Sequence, residues 1–421
     1  MVLPTSLAAS IANINAAYGV SPAPFSLKVS PRFELETRQK LAMTRFTDDI
    51  GLPLAADGPT THNQTTVRDY WLYGYKWKKA QEKINSFFTQ YTTTVQTRDS
   101  NYTDPIPLHF VHHRSPRRDA IPLLFIHGYP GSFLEVGPII NSLTHPPNSS
   151  VPAFHVVAPS IPGYGFSPAP VKPGFGPREA GRAFNALMHQ LNYTQYVIQG
   201  GDLGGIILRY QANSYPESVV SVLDNFWTQE PTADDWARFN QKQTTAEETA
   251  YLNGVKGFQT YASGYVAIQS TRPLQLAIAL TDSPIGFAMW IYDFMAAHGV
   301  HPWSLEEIVT WSMMYLIQGP YNGLRFYKEF QIEGAIDGPG FGTFPYVPVP
   351  VGVTQRTQDL GWSLPLDWAK RGGNVTALYR HELVGGHFPA YQTPDSLAED
   401  IWDFFGNHSI SGTGIFKGKV F

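Results

Sequence analysis

Between residues 106 and 224 the chain repeats one kind of unit: a short apolar run that stops at glycine, proline or a polar residue, then a turn or a stretch with helical spacing. The runs are IPLHFVHHR, IPLLFIHGYPGS, FHVVAPSIPGYG, QYVIQGGD and VVSVLDNF. Strands that are apolar throughout need cover on both faces, and alternation with helices supplies it in a mostly parallel sheet. Ligands of such sheets gather outside the carboxyl ends of the strands. Nearly every run here ends beside a candidate functional residue.

The rest of the chain is read against this core. Residues 231–340 turn helical, with PLQLAIALTDSPIGFAMWIYDFMAAHG and SLEEIVTWSMMYLIQGPYNGLRFYKEF, and Ser304 precedes Glu307 at the spacing of a capping box. A helical segment between two strand-rich regions predicts a cap over the strand ends. After Pro348 strands resume in GNVTALYRHE, followed by a glycine-histidine loop, a closing helix and a tail, SISGTGIFKGKVF. Residues 20–105 show little strand periodicity. There DYWLYGYKWKKAQEKINSFFTQY reads as one aromatic helix with Trp71, Gly74, Tyr75 and Lys78 on a common face. The expected divisions are an amino-terminal extension packing on core and cap (1–105), the first part of an α/β core (106–230), a helical cap (231–340), and the second part of the core with the tail (341–421).

Composition narrows the function classes. A formal net charge of −4 with 15% charged residues does not suit a nucleic-acid-binding surface. The chain has no cysteine, which excludes disulfides, thiolate metal sites and a cysteine nucleophile. No run approaches the roughly 18–20 apolar residues of a membrane span. The opening MVLPTSLAASIANINAAYGV lacks the basic start of a signal peptide, so a soluble cytoplasmic protein is expected. Monomer and homodimer are both compatible with this composition.

The chemistry centres on YVIQGGDLGGIILRY, residues 196–210. Strand, then Gly200-Gly201-Asp202-Leu203-Gly204, then helix is a nucleophile elbow with aspartate in the serine position. The glycines suit a strained turn and a close strand-helix crossing. An Asp after a strand can also merely cap the helix, but the flanking glycines favour the elbow. A carboxylate needs no base before attacking saturated carbon, and the product is an ester on the enzyme. Cleaving that ester with water does need a base. GGHFPAYQTPD offers His387 on a loop after the last strand, with His381 as the weaker competitor. Asp359 is the favoured acid to orient the imidazole; Asp224, Asp367 and Glu382 are the alternatives. The turn HGYPGS points to the backbone N–H of Tyr129, with that of Leu203, as oxyanion donors.

Taken together, DYWLYGYKWKKAQEKINSF, FIHGYPGSFLE, QGGDLGG, ASGYVAIQSTRPLQLAIALTDSPIGFAMWI, RFYKE and GGHFPA resemble the α/β-hydrolase-fold epoxide hydrolases of the microsomal type, including soluble fungal members, from about Pro24 to Phe405. The resemblance implies Asp202 as nucleophile, His387 as base and Asp359 as its partner. It also implies Tyr265 and Tyr327 as phenols that hydrogen-bond the epoxide oxygen. The implied partners are a small apolar epoxide and water, with no cofactor and no metal. Two features depart from the membrane-bound relatives: Leu203 replaces a tryptophan after the nucleophile, and no anchor segment is evident. A haloalkane or haloacid dehalogenase shares the aspartate and the base but needs halide donors near them. A non-catalytic ligand-binding protein on the same fold is the third reading.

Overall fold

The computed structural model describes residues 13–97, 100, 102–297, 301–337, 340–382 and 385–421. Its strands are β1 (Ala23–Phe25), β2 (Gln90–Val95), β3 (Ile106–His113), β4 (Ile121–Ile126), β5 (Phe154–Pro159), β6 (Tyr196–Gly200), β7 (Val219–Asp224), β8 (Ile336–Asp337), β9 (Gly340–Phe341), β10 (Val347–Arg356) and β11 (Gly373–His381). Nine of them form one sheet in the order β1-β2-β3-β5-β4-β6-β7-β10-β11, and β8 pairs with β9 separately. The six strands from β5 to β11 run parallel, and β1, β2 and β3 add an antiparallel edge. Strands β4, β5 and β6 are buried at every position, as continuous apolar runs between two helical layers should be. This is the mostly parallel, helix-covered sheet expected from the alternation, in the α/β-hydrolase architecture that the resemblance implies.

Register sets the position of the functional loops. Ile126 pairs with Gly200, Gly200 with Asp224, Asp224 with Val353, and Arg356 with His381. The carboxyl ends of β4, β6, β7, β10 and β11 therefore lie side by side. Asp224 closes β7, and the loops after β4, β6, β10 and β11 carry Tyr129, Asp202, Asp359 and His387 to the same edge of the sheet.

The structure refines the sequence reading at four places. Strand β10, VPVPVGVTQR, is absent from the reading, which resumes strands at GNVTALYRHE; its prolines at 348 and 350 are unusual for a central strand. The structure accommodates them because β7 pairs only with Val351–Val353, beyond both prolines. The aromatic stretch 69–91 is not one helix: Thr61–Asp69 runs into a π-helical turn at Tyr70–Gly74, a new helix spans Trp77–Phe87, and the Gln90-Tyr91 end belongs to β2. The apolar stretch 273–297 is two helices, Pro273–Asp282 and Pro284–Ala297, bent by 119° where Pro284 removes an N–H. The carboxyl-terminal segment folds back as short helices His408–Ser411 and Thr413–Phe416, with buried Ser411 and Thr413 hydrogen-bonded to each other. The capping box at Ser304 and Glu307 is formed.

Between β7 and β10 the described residues form seven α-helices, from Ala233–Asn240 to Tyr321–Ile332, and one π-helical turn, Phe258–Ala262. Among the described residues no single helix is long and apolar enough to cross a membrane; the bent pair above passes by length and composition only.

The helix Leu203–Ser214 is buried along almost its whole length and crosses β4 at its first turn. A Cβ on Gly204 would lie 2.2 Å from the Ile126 carbonyl oxygen and 2.7 Å from that of His127. Those atoms are backbone of a central strand and cannot swing aside. Gly204→Ala is therefore expected to destabilise the fold by at least about 2 kcal/mol, read from urea denaturation. An unchanged midpoint would show that the crossing is looser than described.

Candidate active site

Asp202 occupies the end of β6 with φ 51 and ψ −125, a conformation that L residues rarely adopt and that costs on the order of 1–3 kcal/mol. The turn is held from both sides, since β6 is laddered between β4 and β7 and the buried helix begins at the next residue. The strain aims the carboxylate out of the sheet edge. The Tyr129 N–H donates to Asp202 Oδ1 at 2.7 Å. That approach needs Gly128, where a Cβ would stand 2.6 Å from the Asp202 Cβ. Leu203 opens the helix directly after Asp202, and its side chain lines the adjoining chamber.

His387 stands between two carboxylates. Its Nδ1 lies 2.9 Å from Asp359 Oδ1, and its Nε2 lies 3.5 Å from Asp202 Oδ2. Asp359 is fixed in turn by the Leu360 N–H on Oδ1 at 2.8 Å and by its own N–H to the Arg356 carbonyl at 3.1 Å. Burial pulls the imidazole towards neutrality, but the Asp359 carboxylate, the hydrogen bonds to both carboxylates and the Asp202 charge outweigh it and hold His387 well above its ordinary pKa. The ring is braced edge to face by Phe226 and Phe388, with centroids at 5.3 and 4.9 Å.

The competing residues are placed elsewhere. Asp224 is wholly buried with its Oδ2 3.8 Å from Arg209 Nε, and its Oδ1 accepts the Phe226 N–H at 2.6 Å. Burial pushes its carboxyl up to about 6 despite that guanidinium, which is sandwiched by Trp227 and Phe344. His381 pairs with Asp400 at 2.9 Å, and Asp367 and Glu382 are exposed.

Tyr265 and Tyr327 come from the helices Gly264–Thr271 and Tyr321–Ile332 and meet edge to face, 5.8 Å between centroids. Both phenols are raised far above 10, chiefly by burial, so both keep their protons at neutral pH. With Tyr129, Leu203, Phe226, Phe294, Phe341 and others they enclose a chamber of about 50 Å³ that also contains Asp202, Asp359 and His387. The Tyr129 hydroxyl accepts from Trp290 Nε1 at 2.9 Å, tying this wall to the helix Pro284–Ala297. A roomier cavity of about 520 Å³, between the helices Trp77–Phe87 and Leu305–Leu316, contains none of these residues. Chemistry, not size, marks the site.

Sequence reasoning misses three polar residues here. Glu135, Gln199 and Asn225 line a second, smaller chamber behind Asp202 and His387. Each is a single polar residue in or beside an apolar run, and no spacing pattern distinguishes it.

Comparison with known proteins agrees with this geometry. Residues 22–136 match the family model "Epoxide hydrolase N terminus", and residues 121–279 match "alpha/beta hydrolase fold". Epoxide hydrolase 1 of Sus scrofa is 31% identical over 414 residues, covering 91% of this chain and 88% of the relative. A putative epoxide hydrolase of Stigmatella aurantiaca is 28% identical over 392 residues, covering 91% and 84%. Among solved structures, the Aspergillus niger epoxide hydrolase superposes with a TM-score of 0.77 at 25% identity, covering 95% of this chain and 99% of that one. The chain belongs to the epoxide hydrolases of the α/β-hydrolase fold, hydrolases that act on ether bonds.

Proposed function

We propose that the protein converts small apolar epoxides to vicinal diols in two steps through an ester on Asp202. The observation that carries this reading is one apolar chamber in which two protonated phenols face a carboxylate backed by a histidine-carboxylate pair. Asp202 Oδ2, the oxygen not tied to Tyr129 N–H, attacks a ring carbon and the ring C–O bond breaks. Tyr265 and Tyr327 hydrogen-bond the departing oxygen, which develops negative charge and takes up a proton. The helical segment that supplies both tyrosines acts as the cap of the site.

Esterification removes the negative charge of Asp202. His387 then keeps only one of its two carboxylate partners and its proton affinity falls. The proton it releases balances the one gained by the alkoxide. Neutral His387, oriented by Asp359, takes a proton from water as that water attacks the Asp202 carbonyl carbon. The Tyr129 N–H already sits on Oδ1, and the Leu203 N–H joins it in holding the oxyanion. Halide release is less well served, since the residues after the nucleophile and the His-Gly turn are Leu203 and Tyr129 rather than indoles.

Each phenol is expected to contribute a charge-assisted hydrogen bond of about 1.5–3 kcal/mol in the transition state. Tyr265→Phe and Tyr327→Phe should each lower kcat for styrene oxide by about 10- to 100-fold, and the double variant by more. The wild type should leave 1-chlorohexane unchanged. Wild-type rates in both single variants, or comparable turnover of the chloroalkane, would contradict the reading.

The acid assignment has its own test. Asp359→Asn should slow steady-state turnover by at least about 100-fold, because the histidine loses the partner that fixes its tautomer and stabilises its charged form. Asp224→Asn leaves that bond intact and should slow turnover by less than about tenfold. The reverse order of effects would move the acid to Asp224.

A further inference from the structure

The catalytic carboxylate and imidazole form a wall between two chambers. Among the described residues, Asp202 and His387 are the only ones that line both the substrate chamber and the smaller one behind it. The smaller chamber has a volume of about 10 Å³. A single water requires on the order of 10–15 Å³ and two to four polar partners. The partners are present. Gln199, 1% exposed at the end of β6, directs its Nε2 to Asn225 Oδ1 at 2.8 Å, and its Oε1 is buried without a hydrogen-bond partner. Glu135, in the same lining, fills the space over Gly131, where a Cβ would fall 1.4 Å from Glu135 Oε1. The Gly128 N–H reaches its Oε1 only at a long 3.4 Å. Burial pushes the Glu135 carboxyl up to about 8, so near neutrality it is mostly an acid that both donates and accepts.

We propose that this rear chamber seats the hydrolytic water, held by Glu135 and Gln199 against His387 Nε2 and the carbonyl carbon of esterified Asp202. The inference rests on the ester reading above. With the substrate-derived alkyl group in the front chamber, water reaches the ester carbon from the rear without crossing it. A proton passes from water to His387 Nε2 while the water oxygen bonds to Asp202 Cγ. The tetrahedral intermediate collapses as the Cγ–O(alkyl) bond breaks, and the leaving alkoxide takes the proton back from His387. Gln199 Oε1 accepts the second water hydrogen. The Glu135 carboxyl donates to the water oxygen, fixing its lone pair towards Cγ. Neither residue lines the front chamber, so neither should affect ring opening.

Rapid-quench kinetics with styrene oxide separate the half-reactions, with formation of the ester followed by mass and its decay by diol release. For Gln199→Leu and Glu135→Leu, ester formation should stay within about twofold of wild type while ester decay slows about 10- to 100-fold. KM and kcat should fall together as the ester accumulates. Glu135→Gln, which keeps a donor and an acceptor, should recover most of the decay rate. Should Glu135→Leu fail to fold, Gln199→Leu and Glu135→Gln carry the test. Unchanged decay in Gln199→Leu, or equal slowing of both half-reactions, would overturn the water site while the ester mechanism stands. Absence of ester in wild type and in His387→Gln alike would remove the mechanism beneath it.

Discussion

The backbone of Asp202 is the constraint on which the rest depends. A φ of 51 at a non-glycine residue is unfavourable in isolation, and a laddered strand on one side and a buried helix on the other over-determine it here. The glycines around it are the counterpart of that strain. Gly204 lets the helix touch the β4 carbonyls, and Gly128 lets the Tyr129 N–H reach the carboxylate. What results is a carboxylate that stands off the sheet edge in a fixed direction, with the Tyr129 N–H on one of its oxygens.

The carboxylates beneath the site are each held by specific partners. Asp224 is held by Arg209 and by the Phe226 N–H, and Phe226 then braces His387. Asp359 is held by His387 and the Leu360 N–H. Asp202 and Asp359 both line the substrate chamber and both face the imidazole, but Asp359 Oδ1 is engaged by His387 Nδ1 and the Leu360 N–H, whereas Asp202 Oδ2 lies 3.5 Å from His387 Nε2. An imidazole gripped by two carboxylates is a poor base, and in the proposed mechanism it becomes a better one only after Asp202 is esterified. Under that proposal electrostatics would put the two half-reactions in order without a conformational step.

The sheet was largely legible because its inner strands are uniformly apolar and end at glycine or proline. Strand β10 was not, because its prolines lie beyond the reach of β7 and only pairing register reveals that they are harmless. Strand β2, QYTTTV, is polar-looking and continues an aromatic helical pattern, so periodicity assigned its start to the helix before it. Asp202 and His387 stood out by their glycines. The sequence favours Asp359 over Asp224, but spacing could not settle the choice, since both belong to strand ends at the same edge. The distance to His387 Nδ1 and the pairing with Arg209 separate them. Tyr265 and Tyr327, among 22 tyrosines, were recognisable only through family resemblance. Glu135 and Gln199 were not visible at all, since burial of a lone polar residue leaves no mark in a sequence.

The central claim is that the carboxylate at this strained turn becomes covalently bound to substrate and that water attacks the carboxylate, not the epoxide. Single-turnover hydrolysis of styrene oxide in ¹⁸O-labelled water, with enzyme in excess, tests it directly. The account predicts that the label enters the peptide containing Asp202 and that the first diol formed carries no solvent oxygen. Label appearing in the diol, with none in Asp202, would contradict it.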